Sequence, residues 1–211
     1  MQGASIGAIV GLALIVACSA SPAEGPARAG AAGGVREVDG RTAAPAGLDK
    51  TLALQGITFR VSCPTRGSIN ELRIEPEGLL SDNSPMVQDV DGTVSGAEVA
   101  DLNADGSPEV YVYVQSTGSG SYGSLVAYSA NNRRSLSGIY LPPITDHPEA
   151  AQGYMGHDAF AIVGDRLVQR FPIYKDGDPN AAPTGGTREV SYRLDAGEAG
   201  WVLRVAEVVD K

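Results

Sequence analysis

The segment whose residue types and spacing first suggest chemistry covers residues 117–124 and reads TGSGSYGS, with a G-x-G-x-x-G spacing. That spacing can cradle a dinucleotide pyrophosphate when a strand precedes it, a helix follows it and an acidic residue stands about 20 positions further on. A strand-like run, EVYVYVQS, does precede it. The run that follows, SLVAYSANNRR, alternates as a strand does, and prolines interrupt the region where the acidic residue would stand. We therefore predict a loop between two strands.

The composition of this loop is typical of a binding surface. Ser119, Ser121 and Tyr122 stand between its glycines. Tyrosine offers rigid amphipathic contact area, whereas serine and glycine offer adaptable hydrogen bonds. Gly118 and Gly123 predict a flexible loop, which would lose conformational freedom on binding. A glycine-rich hairpin without any binding role has the same composition, so composition alone leaves both interpretations open.

A second segment, DLNADGSPE, carries side chains that bind calcium in other proteins. Asp101, Asn103, Asp105 and Glu109 stand at positions 1, 3, 5 and 9 of a calcium loop. Val112 replaces the Glu that such a loop carries at position 12, and the flanking residues are typical of strands. We therefore favour an Asx-stabilised turn and treat the four residues as weak calcium candidates. No other metal or cofactor is predicted.

The histidines give no sign of an enzyme. His157 precedes Asp158, which could form half of a catalytic pair. The sequence has no G-x-S-x-G elbow, and no order of acid, histidine and nucleophile that is typical of hydrolases. We therefore expect His157 to support the neighbouring loop, and we expect no enzymatic activity.

Strands must position these segments. From residue 50 onward, runs rich in Val, Ile, Leu and Tyr alternate with clusters of Gly, Pro, Asn and Asp, and no convincing helical period is present. The pattern predicts one all-β domain over residues 50–211, a single antiparallel β-sandwich of about eight strands. The predicted strands are ITFRVSC, NELRIEP, EVYVYVQ, SLVAYSA, DAFAIVG, DRLVQRFPI, REVSYRL and WVLRVAEVV.

The N-terminus predicts export. Residues 6–17, IGAIVGLALIVA, are too short to cross a membrane and fit a signal peptide. The run ends in IVA and is followed by Cys18, and the string IVAC resembles the lipobox of bacterial lipoproteins. Residues 1–17 are therefore predicted as a lipoprotein-type signal peptide and Cys18 as the lipidated residue. An ordinary signal peptide is the alternative, because the first residues carry no Lys or Arg. Residues 18–49, rich in Ala, Gly and Pro, are predicted as a disordered tether.

The net charge of the chain indicates which classes of partner to expect. The chain has 16 Lys and Arg against 25 Asp and Glu, a net charge of −9. Proteins that bind nucleic acids usually carry a basic patch, so no nucleic acid is expected. Contact with a membrane is expected only through the N-terminal lipid.

Several segments in combination resemble one protein family. They are SGSYG after a Tyr/Val strand, LVAYSANNRRSLSGIYLPP, GYMGHDAF, RFPIY and PTGGTREVSYRL. Together they resemble the bacterial periplasmic inhibitors of invertebrate-type (I-type) lysozyme, from about residue 50 to the C-terminus. The resemblance implies an eight-stranded antiparallel β-sandwich with a loop that enters the lysozyme active site. It also implies a periplasmic location, and Ser19 after the lipobox resembles the outer-membrane sorting pattern.

The resemblance further implies which residues bind the lysozyme. Lysozymes cleave glycans with two carboxylates, and hydroxyls of a neutral loop can donate charge-assisted hydrogen bonds to them. Ser119 is expected to donate to a catalytic carboxylate, and Tyr122 to fill a sugar subsite. The alternative is a surface-anchored glycan- or calcium-binding module without inhibitory activity. The expected binding residues are Ser119, Gly120, Ser121, Tyr122 and Gly123, with Tyr154 and His157 in support.

Overall fold

The computed structural model describes residues 47–211, and this part of the chain is all-β. The predicted signal peptide, Cys18 and all but the last residues of the predicted tether lie outside the described residues. No helix within the described range is long and apolar enough to span a membrane. The elements are β1 (Leu48–Leu54), β2 (Ile57–Cys63), β3 (Ile69–Glu77), β4 (Met86–Asp91), β5 (Thr93–Ala100), β6 (Glu109–Gln115), β7 (Gly123–Asn131), β8 (Ser135–Tyr140), a 3₁₀ helix (Ile144–Asp146), β9 (Ala159–Val163), β10 (Arg166–Pro172), β11 (Thr187–Ala196) and β12 (Trp201–Asp210).

The strands form two sheets. The smaller sheet has the order β1-β2-β3-β4, and the larger has the order β5-β6-β7-β8-β12-β11-β10-β9. The predicted all-β class is confirmed, but two details of the prediction are wrong. The described chain has twelve strands rather than about eight, and β12 pairs with β8 in parallel. After β8 the chain forms the hairpin β9–β10 and then β11. β12, the second strand of the hairpin β11–β12, then lies along the free edge of β8 and runs parallel to it.

All the runs predicted as strands do form strands, and four further strands join them. The four, β1, β4, β5 and β8, lack the strong alternation that identifies the others. β4 fully buries only Val90, because it is an edge strand of the smaller sheet. β5 has a register shift between Val94 and Gly96. β1 begins at Leu48, two residues before the predicted domain boundary at residue 50.

Strand β6 lies at the centre of the fold. Every residue of β6 except Gln115 is buried. Val110, Val112 and Val114 pack in one hydrophobic cluster with side chains of β2 and β3. Tyr111 and Tyr113 face the opposite way and pack in a second cluster with side chains of β10, β11 and β12. Both faces of β6 are therefore packed, and this packing positions the two segments that adjoin its ends, residues 101–108 and the residues that follow Gln115.

The larger sheet curves until its two edge strands meet. The carboxylate of Glu98 in β5 accepts a hydrogen bond from the backbone N–H of Ile162 in β9 at 2.9 Å. The same carboxylate oxygen accepts a bond from the Tyr113 hydroxyl at 2.5 Å. This contact brings β9, and the segment that precedes it, next to the β5–β6–β7 end of the sheet.

Candidate functional site

Residues 116–122, hereafter the β6–β7 loop, connect β6 to β7 as a hairpin, as predicted. The backbone N–H of Ser116 donates to the carbonyl of Tyr122 at 2.9 Å, and the N–H of Tyr122 donates to the Ser116 hydroxyl at 2.8 Å. Nearer the tip, the N–H of Ser121 donates to the carbonyl of Gly118 at 2.9 Å. The loop therefore has hydrogen bonds of its own that define its shape.

Residues 154–157, hereafter the supporting segment, lie against the β6–β7 loop. The backbone N–H of His157 donates to the carbonyl of Gly120 at 2.7 Å. At the other end of the segment, Tyr154 forms an isolated bridge with Ile173, just beyond β10. The structure thus brings Tyr154 and His157 together with the loop residues, although they are more than thirty positions further along the chain.

Glycines allow this close approach. Gly156 has a φ of +89°, and a Cβ added there would lie 2.2 Å from the Gly120 carbonyl oxygen. A Cβ at Gly123 would lie 2.6 Å from the Cβ of Asp158. Gly123 therefore allows a close contact with Asp158, whereas a Cβ at Gly118 would meet open space. The flexibility predicted for the loop stays a prediction.

The ring of Tyr122 is partly packed against the protein and partly exposed to solvent. Its side chain is 50% exposed, and its ring meets the Tyr154 ring edge to face with centroids 5.9 Å apart. A Cβ at Gly120 would lie 2.5 Å from this ring, so the ring folds back over the loop backbone. Tyr154 in turn packs against the buried Phe171 at 4.8 Å. Only part of the Tyr122 ring is available to a partner.

Asp158 is the polar centre beneath the loop. It is 4% exposed, and its Oδ2 accepts hydrogen bonds from the backbone N–H of Gly123 at 2.9 Å and the Tyr154 hydroxyl at 2.8 Å. Its Oδ1 accepts from Nε2 of Gln169 at 2.6 Å, and Gln169 accepts from the Tyr192 hydroxyl at 2.5 Å. Burial and the bond to Asp158 raise the pKa of Tyr154 far above its ordinary value, so its hydroxyl keeps its proton and remains a donor.

His157 does not form a catalytic pair with Asp158. Its ring stacks on Tyr174 with centroids 6.3 Å apart, and its Nε2 lies 3.4 Å from Oδ1 of Asn180. Asn180 also donates from Nδ2 to the carbonyl of Ser119 at 2.9 Å. His157 and Asn180 therefore contact the loop backbone from one side.

Ser119 stands at the exposed tip of the loop. Its carbonyl is engaged by Asn180, whereas its hydroxyl makes no hydrogen bond to any residue in 47–211. No Asp, Glu, Lys or Arg occurs between residues 116 and 124. The tip thus offers a thin, uncharged surface with a serine hydroxyl that no residue in 47–211 engages.

A concave surface of about 340 Å³ adjoins the loop. It lies between the start of β7, the segment after β8 and the supporting segment. Its lining is mainly apolar and aromatic, and it includes Tyr122, Leu125, Leu141, Ile144, Tyr154 and Phe160.

Arg188 fixes the chain that leads into the supporting segment. Its Nη1 donates to the carbonyls of Glu149, Ala150 and Gln152 at 2.9 to 3.0 Å. Its Nε and Nη2 donate to the two carboxylate oxygens of Asp210 at 2.6 and 2.8 Å. Arg188 is 6% exposed, so one buried guanidinium joins β11, the end of β12 and this segment.

Asp158, Asn180 and Arg188 are absent from the residues predicted for the site. Asp158 and Arg188 begin the predicted strands DAFAIVG and REVSYRL, where a polar first residue is unremarkable. Asn180 lies in a loop with several similar polar residues. Each of them also bonds to a residue that is distant in the chain, such as Gly123 for Asp158 and Ser119 for Asn180, and the local sequence carries no signal of these contacts.

The weak calcium candidates lie at the other end of β6 from the β6–β7 loop. The N–H of Asp105 lies 3.1 Å from both Oδ1 of Asp101 and Oδ1 of Asn103, and the N–H of Ser107 donates to Oδ1 of Asp105 at 2.7 Å. The Asx-stabilised turn is therefore present. Glu109 is the first residue of β6, and the turn leads directly into it.

A comparison with protein-family models identifies the region that contains the loop. Residues 75–145 match the model of the periplasmic lysozyme inhibitors of I-type lysozyme. The matched range contains the whole β6–β7 loop and both of its strands, whereas the supporting segment lies beyond it. The predicted resemblance is confirmed over this range, and the matched family consists of inhibitors rather than enzymes. No curated protein and no solved structure gives a significant match.

Proposed function

We propose that this protein is a periplasmic inhibitor of I-type lysozyme and that it inserts the β6–β7 loop into the active-site cleft. The observation that carries the proposal is the family match over residues 75–145, because it contains this loop in full. The loop is thin, uncharged and exposed at its tip, which are the properties that entry into a cleft requires.

The chemistry of the tip suits a site with two carboxylates. The Ser119 hydroxyl can donate to an ionised carboxylate, and such charge-assisted bonds are stronger than those between neutral groups. A loop without acidic side chains adds no like charge to that cleft. Ser119 is therefore proposed to donate to a catalytic carboxylate, which would keep the sugar substrate out.

Tyr122 is proposed as the main apolar contact. Tyrosine at the desolvated centre of an interface often contributes a large share of the binding free energy. The exposed half of its ring lies beside the concave surface, and Met155 of the supporting segment is 42% exposed nearby in the chain. In this arrangement the ring occupies a sugar subsite and Met155 contacts the rim of the cleft.

The anchorage of the loop favours tight binding. His157, Asn180 and Asp158 each hold a different point of the loop or of its first β7 residue. A loop that is already ordered in the free protein loses less conformational entropy on binding than a flexible one. The proposal therefore needs no large rearrangement of the inhibitor.

Attachment to the outer membrane is the second part of the proposal. Cys18 would carry the lipid, and residues 18–49 would hold the β domain away from the membrane. Growth with a labelled fatty acid tests this. Label should enter the wild-type protein and be lost from Cys18→Ser, whereas an unlabelled wild type would leave an ordinary signal peptide.

Wall-lysis assays test the inhibitory function. The purified protein is titrated against I-type, chicken-type and goose-type lysozymes, together with Ser119→Ala and Tyr122→Ala. Matched controls are Ser81→Ala and Tyr140→Ala, because Ser81 is exposed far from the loop in sequence and Tyr140 is 59% exposed on β8. Selective inhibition of the I-type enzyme, weakened only by the loop variants, is the expected result.

Two other outcomes would lead to different conclusions. Inhibition that the loop variants leave intact would retain the lysozyme as partner and reject the loop as the binding element. No inhibition of any lysozyme, with retention of the protein on immobilised peptidoglycan, would favour the alternative of a glycan-binding module that uses the concave surface beside Tyr122.

A further inference from the structure

Three carboxylates converge at the start of β6. One carboxylate oxygen from each of Asp101, Asp105 and Glu109 lies within 4.8 Å of the other two. At such distances like charges repel strongly, and more so where protein excludes water. No Lys or Arg within residues 47–211 forms an ion pair with any of the three. Arg133 lies close, but it donates to the carbonyl of Gly106 instead.

Glu109 has an unused oxygen that is completely buried. The residue is 0% exposed, and its Oε2 accepts hydrogen bonds from the N–H of Leu102 at 2.9 Å and the Tyr111 hydroxyl at 3.3 Å. Its Oε1 has no partner within the described residues. Buried polar atoms without partners are rare and costly, so this atom requires an explanation.

The surroundings of Glu109 lack a positive charge. Its carboxylate lies beside those of Asp101 and Asp105, and a bound cation would supply the missing partner.

We propose that residues 101–109 bind a calcium ion through the carboxylates of Asp101, Asp105 and Glu109. Asn103 and the carbonyl of Ser107 stand at positions 3 and 7 of the loop, which supply further oxygen ligands in calcium loops. Glu109 at position 9 provides the buried carboxylate that position 12 provides in an EF-hand. The hydrogen bonds of the Asx turn are compatible with the ion, since a carboxylate oxygen has more than one lone pair.

Calcium fits this set of donors better than other common ions. The donors are all oxygens, which excludes a preference for softer metals, and magnesium dehydrates reluctantly and demands near-ideal octahedral geometry. Asp105 is exposed, so an ion can reach the site from solvent. Extracellular calcium modules bind with Kd values of about 0.1–1 mM, which is the range expected for a partly open site.

Bound calcium would stabilise the junction of the two sheets. Nε2 of Gln55, in the turn between β1 and β2, donates to Oδ2 of Asp101 at 2.7 Å. The site therefore joins the smaller sheet to the start of β6 in the larger sheet. This inference is independent of the proposed inhibition, because the site lies at the opposite end of β6 from the loop.

Titration of the purified full-length protein tests the proposal. The protein is freed of metal with EDTA and titrated with CaCl2 by calorimetry, with MgCl2 at equal ionic strength in parallel. Saturable binding of one calcium ion is expected. Saturation should raise Tm by about 5 °C or more at a hundredfold excess over Kd.

Variants separate a calcium ligand from a merely structural residue. Glu109→Gln and Asp105→Asn should each weaken calcium binding about tenfold or more, because affinity depends on ligand charge. The control Asp89→Asn removes one exposed charge from β4 and should bind as the wild type does. In EDTA, Glu109→Gln should melt no lower than the wild type, since it relieves the repulsion.

The proposal is overturned if CaCl2 gives neither a binding heat nor a Tm increase beyond that of MgCl2. It is also overturned if Asp105→Asn, which alters only an exposed side chain, binds calcium as tightly as the wild type. Loss of stability in EDTA for Glu109→Gln would assign Glu109 a purely structural role and count against the site.

Discussion

The backbone N–H of His157 donates to the carbonyl oxygen of Gly120 at 2.7 Å, and this bond joins two segments that are far apart in the chain. It is a bond between main-chain atoms, so it depends on how closely the two backbones approach. Gly156, the residue before His157, sets that distance because a Cβ there would lie 2.2 Å from the same carbonyl oxygen.

Gly156→Ala is therefore expected to separate the supporting segment from the loop. The new Cβ meets a backbone atom, which cannot move aside as a side chain can, and the positive φ adds a strain of about 1 kcal/mol or more. The inhibition constant should increase about tenfold or more, since a misplaced loop loses its ordered shape. Gly164→Ala is a matched control, with a φ of +62° and open space around the Cβ. Equal effects of the two variants would show that backbone strain, not loop position, is responsible.

Asp158→Asn should destabilise the fold and the loop together. The amide replaces one acceptor oxygen by a donor among groups that are themselves donors, namely Gly123 N–H, the Tyr154 hydroxyl and Gln169 Nε2. A buried donor left without a partner costs about 1–3 kcal/mol. Urea denaturation measures this cost, with Asp165→Asn as the control because its side chain is 77% exposed. A variant as stable as the wild type would contradict the role assigned to this network.

Tyr122→Phe separates the ring of Tyr122 from its hydroxyl. The phenyl ring can keep the contact with Tyr154, so Tm should stay within about 2 °C of the wild type. If the hydroxyl donates to the lysozyme, the affinity should fall by about tenfold, the usual effect of one lost hydrogen bond. Tyr122→Ala should lose considerably more affinity. Equal losses in Phe and Ala would assign the whole effect to the hydroxyl and reject the apolar contact.

The Arg188–Asp210 pair should make the region around the supporting segment sensitive to acid. The hydrogen bond from Arg188 holds the pKa of Asp210 below its ordinary value. A carboxyl group with a lowered folded-state pKa stabilises the fold above its unfolded pKa of about 4, and this contribution is lost as the pH falls further. Asp210→Asn should thus reduce the dependence of Tm on pH between about pH 4 and pH 2. The expected change is small because the Asp210 side chain is 55% exposed. If Tm of Asp210→Asn depends on pH as strongly as Tm of the wild type does, the role assigned to this pair is contradicted.

The fold was predictable where alternation was strong. The run EVYVYVQ predicts β6, and its valines and tyrosines do face opposite ways. The parallel pairing of β8 with β12 was not predictable, because it rests on two residue pairs between strands that are distant in sequence. β1 and β4 escaped prediction because edge strands bury too little for a clear pattern.

The residues of the candidate site were also only partly predictable from the sequence. Composition and the family resemblance predict Ser119, Gly120 and Tyr122 as binding residues, all within one short loop. Asp158, Asn180 and Arg188 act through partners that only the folded chain brings near, so no local pattern indicates them. For the acidic turn, the spacing of ligands was visible, but the buried and unpaired Oε1 of Glu109 is a property of the folded state.

The loop is held mainly through its own backbone, and this has a consequence for evolution. His157, Asn180 and Ser116 bind carbonyl or N–H groups of Gly120, Ser119 and Tyr122 rather than their side chains. Side chains at exposed positions such as 117 and 119 can therefore change without loss of the loop's shape. If the tip enters a lysozyme cleft as proposed, point mutations at these positions can alter its specificity while the framework beneath the loop stays the same.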